Sequence, residues 1–237
     1  MRYLGGKFHT RKYIAPIIQN YINENTIYIE PMIGAANIFS EIKASKKIGA
    51  DIHPDLIEMY KALQNGWIPP EYISEQEYKD LRNAEVSALR GFVGFAASFG
   101  GKWFGGYARD HKGSRNFAKV GSSGLMKRVS LMDIANCEFR NISYLDLTNE
   151  INNNNVIYCD PPYANTTKYS SGKFDHAVFW QWIREQSIKC PVIVSEYTAP
   201  EDFDCILEIP TKTGLRDVNY QHIDRTERLF MYREGIK

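Results

Sequence analysis

Hydrophobic and polar positions along this 237-residue chain switch between two periods. "TIYIE" (26–30) is a short β-branched and aromatic run, which predicts a strand. After a turn at Gly34, residues 36–44 predict a helix. "KIGAD" (47–51) predicts a second strand. "HPDLIEMYKALQNG" (53–66) then places Leu56, Met59, Tyr60 and Leu63 at helical spacing, with Gly66 as a stop signal. This strand–helix–strand–helix order implies a parallel sheet with crossover helices. Ahead of it, Tyr13, Ile14, Ile17, Ile18, Tyr21 and Ile22 trace an amphipathic helix that Pro16 either kinks or delays.

The periodicity then lapses. Nine glycines fall between Gly91 and Gly124, interleaved with Phe92, Phe95, Phe99, Trp103, Phe104 and Tyr107. The stretch reads as an inserted lobe rather than a crossover helix. Strand signals return at "CEFRNI" (137–142) and "NVIYCD" (155–160). Phe179, Trp180, Trp182 and Ile183 suit a helix face, and "CPVIVSEY" and "RLFMYR" suit two late strands. The expected organisation is an α/β domain from residues 1–66 and 136–237, with residues 67–135 as the insertion.

At 43% hydrophobic and 24% charged residues, the composition is that of a soluble globular protein. No apolar run reaches the roughly 18 residues of a membrane span, and the N-terminus lacks a signal-peptide pattern. Cys137, Cys159, Cys190 and Cys205 show neither zinc nor disulfide spacing, which fits a reducing cytosol. Net charge is only +1, but its distribution is uneven. Arg90, Lys102, Arg109, Lys112, Arg115, Lys119, Lys127 and Arg128 face one acid, Asp110, within a single segment of net charge +7. That asymmetry suggests a surface for a polyanion.

Candidate chemistry gathers at predicted strand ends. "YIEPMIGAANIF" sets Pro31, Gly34 and two alanines after a strand, where small residues let a ligand approach the backbone. Asp51 ends the next strand and can accept hydrogen bonds from ribose hydroxyls. With no GxGxxG and no GxxxxGK[ST], dinucleotide and P-loop readings lose ground. "DPPY" (160–163) ends the "NVIYC" strand. Its prolines hold Asp160 and Pro161 extended. The Asp160 carboxylate and the Pro161 carbonyl together can accept both hydrogens of an amino group, and Tyr163 offers a ring face. The pair suits a nucleobase exocyclic amine; a rigid turn with a capping aspartate is the alternative for such a tetrad standing alone.

In combination these motifs resemble the DNA adenine methyltransferase (Dam) family, along nearly the whole chain. "RYLGGK" (2–7), "EPMIGAANIF", "ADIHPDLI" and "YCDPPY" are similar to its N-terminal, cofactor-loop, ribose-strand and catalytic motifs. "GFVGFAASFGGKWFGGYAR" resembles a segment of its phage-type members. The resemblance implies a Rossmann-like S-adenosylmethionine-dependent methyltransferase fold with an inserted DNA-recognition lobe. It implies methyl transfer from S-adenosylmethionine to the N6 amino group of an adenine flipped out of double-stranded DNA, by direct in-line attack and without a metal.

Carried over by position, the catalytic residues are Asp160, Pro161, Pro162 and Tyr163. Cofactor contacts fall to Tyr3, Lys7, Glu30, Pro31, Met32, Gly34, Asp51, Ile52, Tyr144 and Asp160. Ser143-Tyr144 stands where the family often has an Asp-aromatic pair. DNA contacts fall to Lys102, Arg109, Lys112, Arg115, Asn116 and Lys119. Gly113 is expected at the tip of a DNA-reading hairpin. A monomer in the cytoplasm of a bacterial or phage-infected cell is expected, with no membrane partner. A cytosine-amino enzyme would carry Ser for Asp160, and a protein or RNA methyltransferase more often Asn. A DNA-binding module without catalysis would not need an intact DPPY, Asp51 and Lys7. His53 is expected to cap a helix, and Trp180 and Trp182 to pack one.

Overall fold

The computed structural model describes residues 1–110, 115–163, 174–216 and 222–236. Within them the chain forms β1 (Ile27–Glu30), β2 (Lys46–Ala50), β3 (Cys137–Arg140), β4 (Asn155–Cys159), β5 (Val192–Glu196), β6 (Phe203–Arg216) and β7 (His222–Tyr232). The helices are α1 (Arg11–Gln19), α2 (Pro54–Gln64), α3 (Glu75–Leu81), α4 (Ala88–Ala96), α5 (Phe117–Leu131) and α6 (His176–Ser187). The strands make one sheet in the order β3-β2-β1-β4-β5-β7-β6. The first five run parallel, and β7 is antiparallel to both its neighbours. This is the Rossmann-like methyltransferase architecture.

Alternation within the strands divides the core. Tyr28, Val156 and Tyr158 face α1, α2, α4 and α5, whereas Ile29, Ile157 and Cys159 face α6. Trp182 of α6 packs there and donates through Nε1 to Thr148 Oγ1 at 3.0 Å, so the α6 tryptophans are packing residues. Because β1 lies between β2 and β4, the sheet order reverses there, and a crevice opens beyond the carboxyl ends of these strands.

Three elements differ from expectation. Residues 36–44 form consecutive turns, not an α-helix. Ala36 sits at φ 54°, in the left-handed region, and breaks helical geometry at its start. Ala36–Ser40 are all buried, so this part of the segment has no solvent face to give an amphipathic pattern; Glu41 and Lys43 reach solvent only at its end. The glycine-rich stretch contains α4 and most of α5, capped by Ser87 and Asn116. Its helical glycines allow close packing: a Cβ on Gly91 would lie 2.2 Å from the Asp55 carbonyl oxygen, and one on Gly94 2.2 Å from the Trp103 ring. Third, α1 runs through Pro16 and stops at Gln19, short of Ile22. Two elements were not anticipated. α3 begins with a Ser74/Glu77 capping box, and β6 lacks clean alternation and carries a bulge.

Among the described residues, 67–135 add no strand to the sheet. α4 docks on α2, and Arg90 Nη1 donates to Asp55 Oδ2 at 2.6 Å. The hairpin expected around Gly113 lies outside the described residues. No described helix is long and apolar enough to cross a membrane.

Gly91→Ala is expected to destabilise the protein by about 1–3 kcal/mol, because its methyl group must displace the α2 backbone. Urea unfolding measures this; an unchanged midpoint would mean that α4 does not lie so close to α2.

Candidate active site

The crevice is a cavity of about 1030 Å³. Tyr3, Lys7, Glu30, Pro31, Met32, Gly34, Asp51, Ile52, Tyr144 and all of Asp160–Tyr163 line it. Residues from five separate stretches thus meet: the N-terminal segment, the ends of β1, β2 and β4, and the stretch after β3.

One half is built on small residues. Gly34 has φ 45°, and a Cβ there would lie 3.1 Å from the Tyr3 ring. Tyr60 of α2 donates its phenol to the Gly34 carbonyl at 2.8 Å. Asp51 accepts from the Gly34 N–H at 3.1 Å and the His53 N–H at 3.0 Å. Burial pushes its carboxyl up to about 6, against the pull of those N–H donors. Tyr3 is braced from the insertion: its ring centroid is 4.7 Å from that of Phe95, and the Leu4 N–H donates to the Gly101 carbonyl at 3.2 Å. Gly101 adopts φ 70°, and a Cβ there would fall 2.6 Å from Tyr3 N.

The other half is polar and dry. Lys7 is only 7% exposed, and its Nζ lies 2.7 Å from Asp160 Oδ1 and 3.7 Å from Glu227 Oε1. The same ammonium stands 4.4 Å from the Tyr163 ring centroid. Tyr163 donates its phenol to Glu227, and Tyr197 meets the ring edge-on at 4.6 Å. Burial raises the carboxyls of Asp160 and Glu227, with Lys7 as the leading opposing influence on each. Glu30, at the end of β1, accepts from the Tyr28 phenol at 2.6 Å, and burial holds its carboxyl well above the usual range.

Sequence reasoning missed Glu227, Asn37 and Tyr197. Glu227 had a signal: it shares the alternating face of β7 with Leu229 and Met231, where an acid is out of place. Asn37 is 7% exposed, lines the cavity, and its Oδ1 has no hydrogen-bond partner among the described residues. Its signal was weak, a single amide inside the small-residue loop.

Among the described residues, those expected on DNA lie outside the cavity lining. Arg109 is paired with Glu75, and Lys119 lies 3.1 Å from Glu71. Asn116 caps α5 by accepting from Lys119 N–H at 2.9 Å, and its amide donates to the Glu71 carbonyl. Lys102 is exposed beside the Gly101 turn. Arg115 and Arg2 lie over the Phe117 ring, 5.2 and 4.9 Å from its centroid. Arg90 and Arg128 are turned inward, onto Asp55 and the Met1 carbonyl. Lys112 is outside the described residues. His53 occupies the N-cap position of α2 without a side-chain capping bond; its ring packs 4.2 Å from Trp103.

A switch-point cavity with a Gly-Ala loop, a strand-end aspartate and a DPPY tetrad defines an α/β methyltransferase that acts on an amino nitrogen. Residues 3–100 match the D12 class N6 adenine-specific DNA methyltransferase family. That match, with the relatives that follow, indicates an adenine-specific DNA methyltransferase. It is similar to the DNA adenine methylases of two Vibrio cholerae O1 strains, O395 and N16961. Each is 27% identical over 201 residues, covering 73% of this chain and 70% of the relative. Among solved structures, it is similar to a putative methyltransferase from Streptococcus mutans in complex with SAH, with TM-score 0.40 and 10% identity over 92% of this chain and 96% of that one. An rRNA methylase from Streptococcus thermophilus gives TM-score 0.42 and 9% identity, over 93% and 95% of the two chains.

Lys7→Met should leave two buried carboxyls without their cation and cost about 3–5 kcal/mol near pH 8. Asp160 and Glu227 both hold their protons more tightly folded than unfolded, so their contribution to stability is greatest in acid and is lost as pH rises. Removing Lys7 enlarges that effect. The deficit should therefore shrink as pH is lowered toward about 5; a pH-independent deficit in urea unfolding would show that Lys7 does not balance these groups.

Proposed function

We propose that the cavity holds S-adenosylmethionine beside one adenine turned out of duplex DNA, and that Asp160–Tyr163 present the adenine N6 for methyl transfer. The observation carrying this reading is the place of the Lys7 ammonium. The pocket already holds a nitrogen donor between the Asp160 carboxylate and the face of the Tyr163 ring. An adenine amino group with its flat ring makes the same demands.

The donor supplies an activated methyl group on a sulfonium. Residues of the first half of the cavity fit it: Asp51 is aimed by two backbone N–H groups and can accept from a ribose, and the buried Asn37 Oδ1 awaits a donor. Gly34 keeps the loop free of a side chain that would meet Tyr3.

Flipping a base costs a few kcal/mol, and stacking on Tyr163 returns roughly 1–3 kcal/mol. The adenine amino nitrogen is a poor nucleophile because its lone pair is delocalised into the ring. Hydrogen bonds from its two hydrogens to Asp160 and the Pro161 carbonyl favour a pyramidal nitrogen with a localised lone pair. When the N–CH₃ bond forms and the S–CH₃ bond breaks, one N6 proton must leave. Asp160, whose carboxyl is held above its ordinary range, is the first acceptor. Bringing Lys7 toward Glu227, already 3.7 Å away, frees Asp160 for the base.

Residues 67–135 are the target-recognition lobe in this reading. Internal pairing of Arg109 and Lys119 turns attention to Arg115, which shares the Phe117 ring with Arg2 and lies close enough that Arg115 helps hold Arg2 below its usual range, after burial. A guanidinium so placed suits a phosphate or guanine edge.

Asp160→Ala should abolish methyl incorporation into DNA while leaving a folded protein; near-normal turnover would overturn the mechanism. Asp51→Ala should weaken S-adenosylmethionine binding far more than DNA binding. The ionised carboxylate accepts from hydroxyls more strongly than the protonated acid, so wild-type affinity should fall as pH drops below about 6 and level off above it. Calorimetry across that range checks both, and a flat profile would remove Asp51 from the ribose. Arg115→Ala should relax discrimination between cognate and single-mismatch duplexes by about 1–3 kcal/mol if a bidentate base contact is lost. Unchanged mismatch ratios would move sequence reading elsewhere in the lobe.

A further inference from the structure

We propose that Glu227 is the positioning residue of the base pocket, fixing the plane of the Tyr163 ring by accepting its phenol proton. This rests on the base-pocket reading above and adds a residue to it. Glu227 comes from the antiparallel strand β7, far in sequence from the DPPY tetrad, and is only 6% exposed. An acid so buried is costly unless it is hydrogen-bonded and paired. Its partners include the Tyr163 phenol, the Lys7 ammonium and the Ser195 hydroxyl. Asp160, the group that would hold N6, is near enough to help raise the Glu227 carboxyl.

The geometry assigns it a function in orientation. A tyrosine following two prolines has a fixed Cα, but its ring can still rotate about χ1 and χ2. Contacts at its edge and its hydroxyl restrict that freedom. Tyr197 meets the ring at an interplanar angle of 86°, and Glu227 holds the hydroxyl. The face that Lys7 stands over lies on the Asp160 side. Glu227 itself is set by strand pairing with Ile209, so the ring is referenced to the sheet rather than to a loop.

The test uses the intact protein and a duplex carrying its methylated sequence, identified by sequencing: with 2-aminopurine at the target position for fluorescence, and with the natural adenine, which alone has the 6-amino group, for methyl transfer. Wild-type protein should raise 2-aminopurine fluorescence. Glu227→Ala and Tyr163→Phe should each reduce both that signal and the single-turnover methyl-transfer rate by about tenfold, the scale of one lost hydrogen bond. If Glu227 acts through the phenol, the double variant should be no worse than the worse single variant. Glu227→Gln keeps an acceptor oxygen and should recover most of the fluorescence. S-adenosylmethionine affinity should stay close to wild type throughout.

Multiplicative losses in the double variant, or Glu227→Gln no better than Glu227→Ala, would overturn the proposal. Should Glu227→Ala not fold, the cycle of Glu227→Gln with Tyr163→Phe decides: Gln alone must then retain more signal than Phe alone. A wild-type protein with no fluorescence change on its own methylated sequence would overturn the base-flipping reading instead, and is a separate outcome.

Discussion

The buried contact between Lys7 and Asp160 is the constraint around which the site is arranged. It joins the N-terminal segment to the end of β4, 153 residues apart in sequence, at 2.7 Å. Taking these charges out of water is expensive, and one ammonium must serve two carboxyls, Asp160 and Glu227. Among the described residues, the result is a charged, largely buried polar pocket in which Lys7 faces both carboxyls. The Tyr163 ring, the Asp160 carboxylate and the Lys7 ammonium are in mutual contact.

The sheet explains why this cluster forms where it does. β1, with β2 on one side and β4 on the other, carries Glu30 to the crevice beside Asp51 and Asp160. The insertion is tied into the same place. Arg90 binds Asp55 at the start of α2, Gly91 packs on the α2 backbone, and the Gly101 turn holds the chain at Tyr3 and Leu4. Asp51 lies four residues before Asp55, so the element that aims one half of the cavity also seats the lobe.

Much of the sheet was legible because its strands are short and rich in β-branched residues, and α2 because its apolar stripe is regular. The Ala36 segment misled because small and apolar residues in a fully buried turn mimic a helix. The glycine-rich stretch misled in the opposite direction: Gly91, Gly94 and Gly121 mark close helix packing, information that exists only once a neighbouring helix is present. In the site, the residues gathered by motif all line one cavity. Glu227 was hidden because strand β7 is recognisable only by alternation, and the partner that gives its acid meaning lies 64 residues away. The basic segment was legible as charge but not as surface, since Asp55, Glu71 and Glu75 all precede it and pair with Arg90, Lys119 and Arg109, three of its eight cations.

The central claim is that the DPPY tetrad receives an adenine by its amino group. The most direct measurement is a structure of the protein with its cognate duplex and a non-transferring S-adenosylmethionine analogue. It should place the target adenine outside the helix stack, its N6 about 2.7–3.2 Å from both the Asp160 carboxylate and the Pro161 carbonyl, with its ring on Tyr163 and Lys7 displaced from Asp160. An adenine still stacked in the duplex, or an N6 beyond hydrogen-bond reach of Asp160 with Lys7 unmoved, would contradict it.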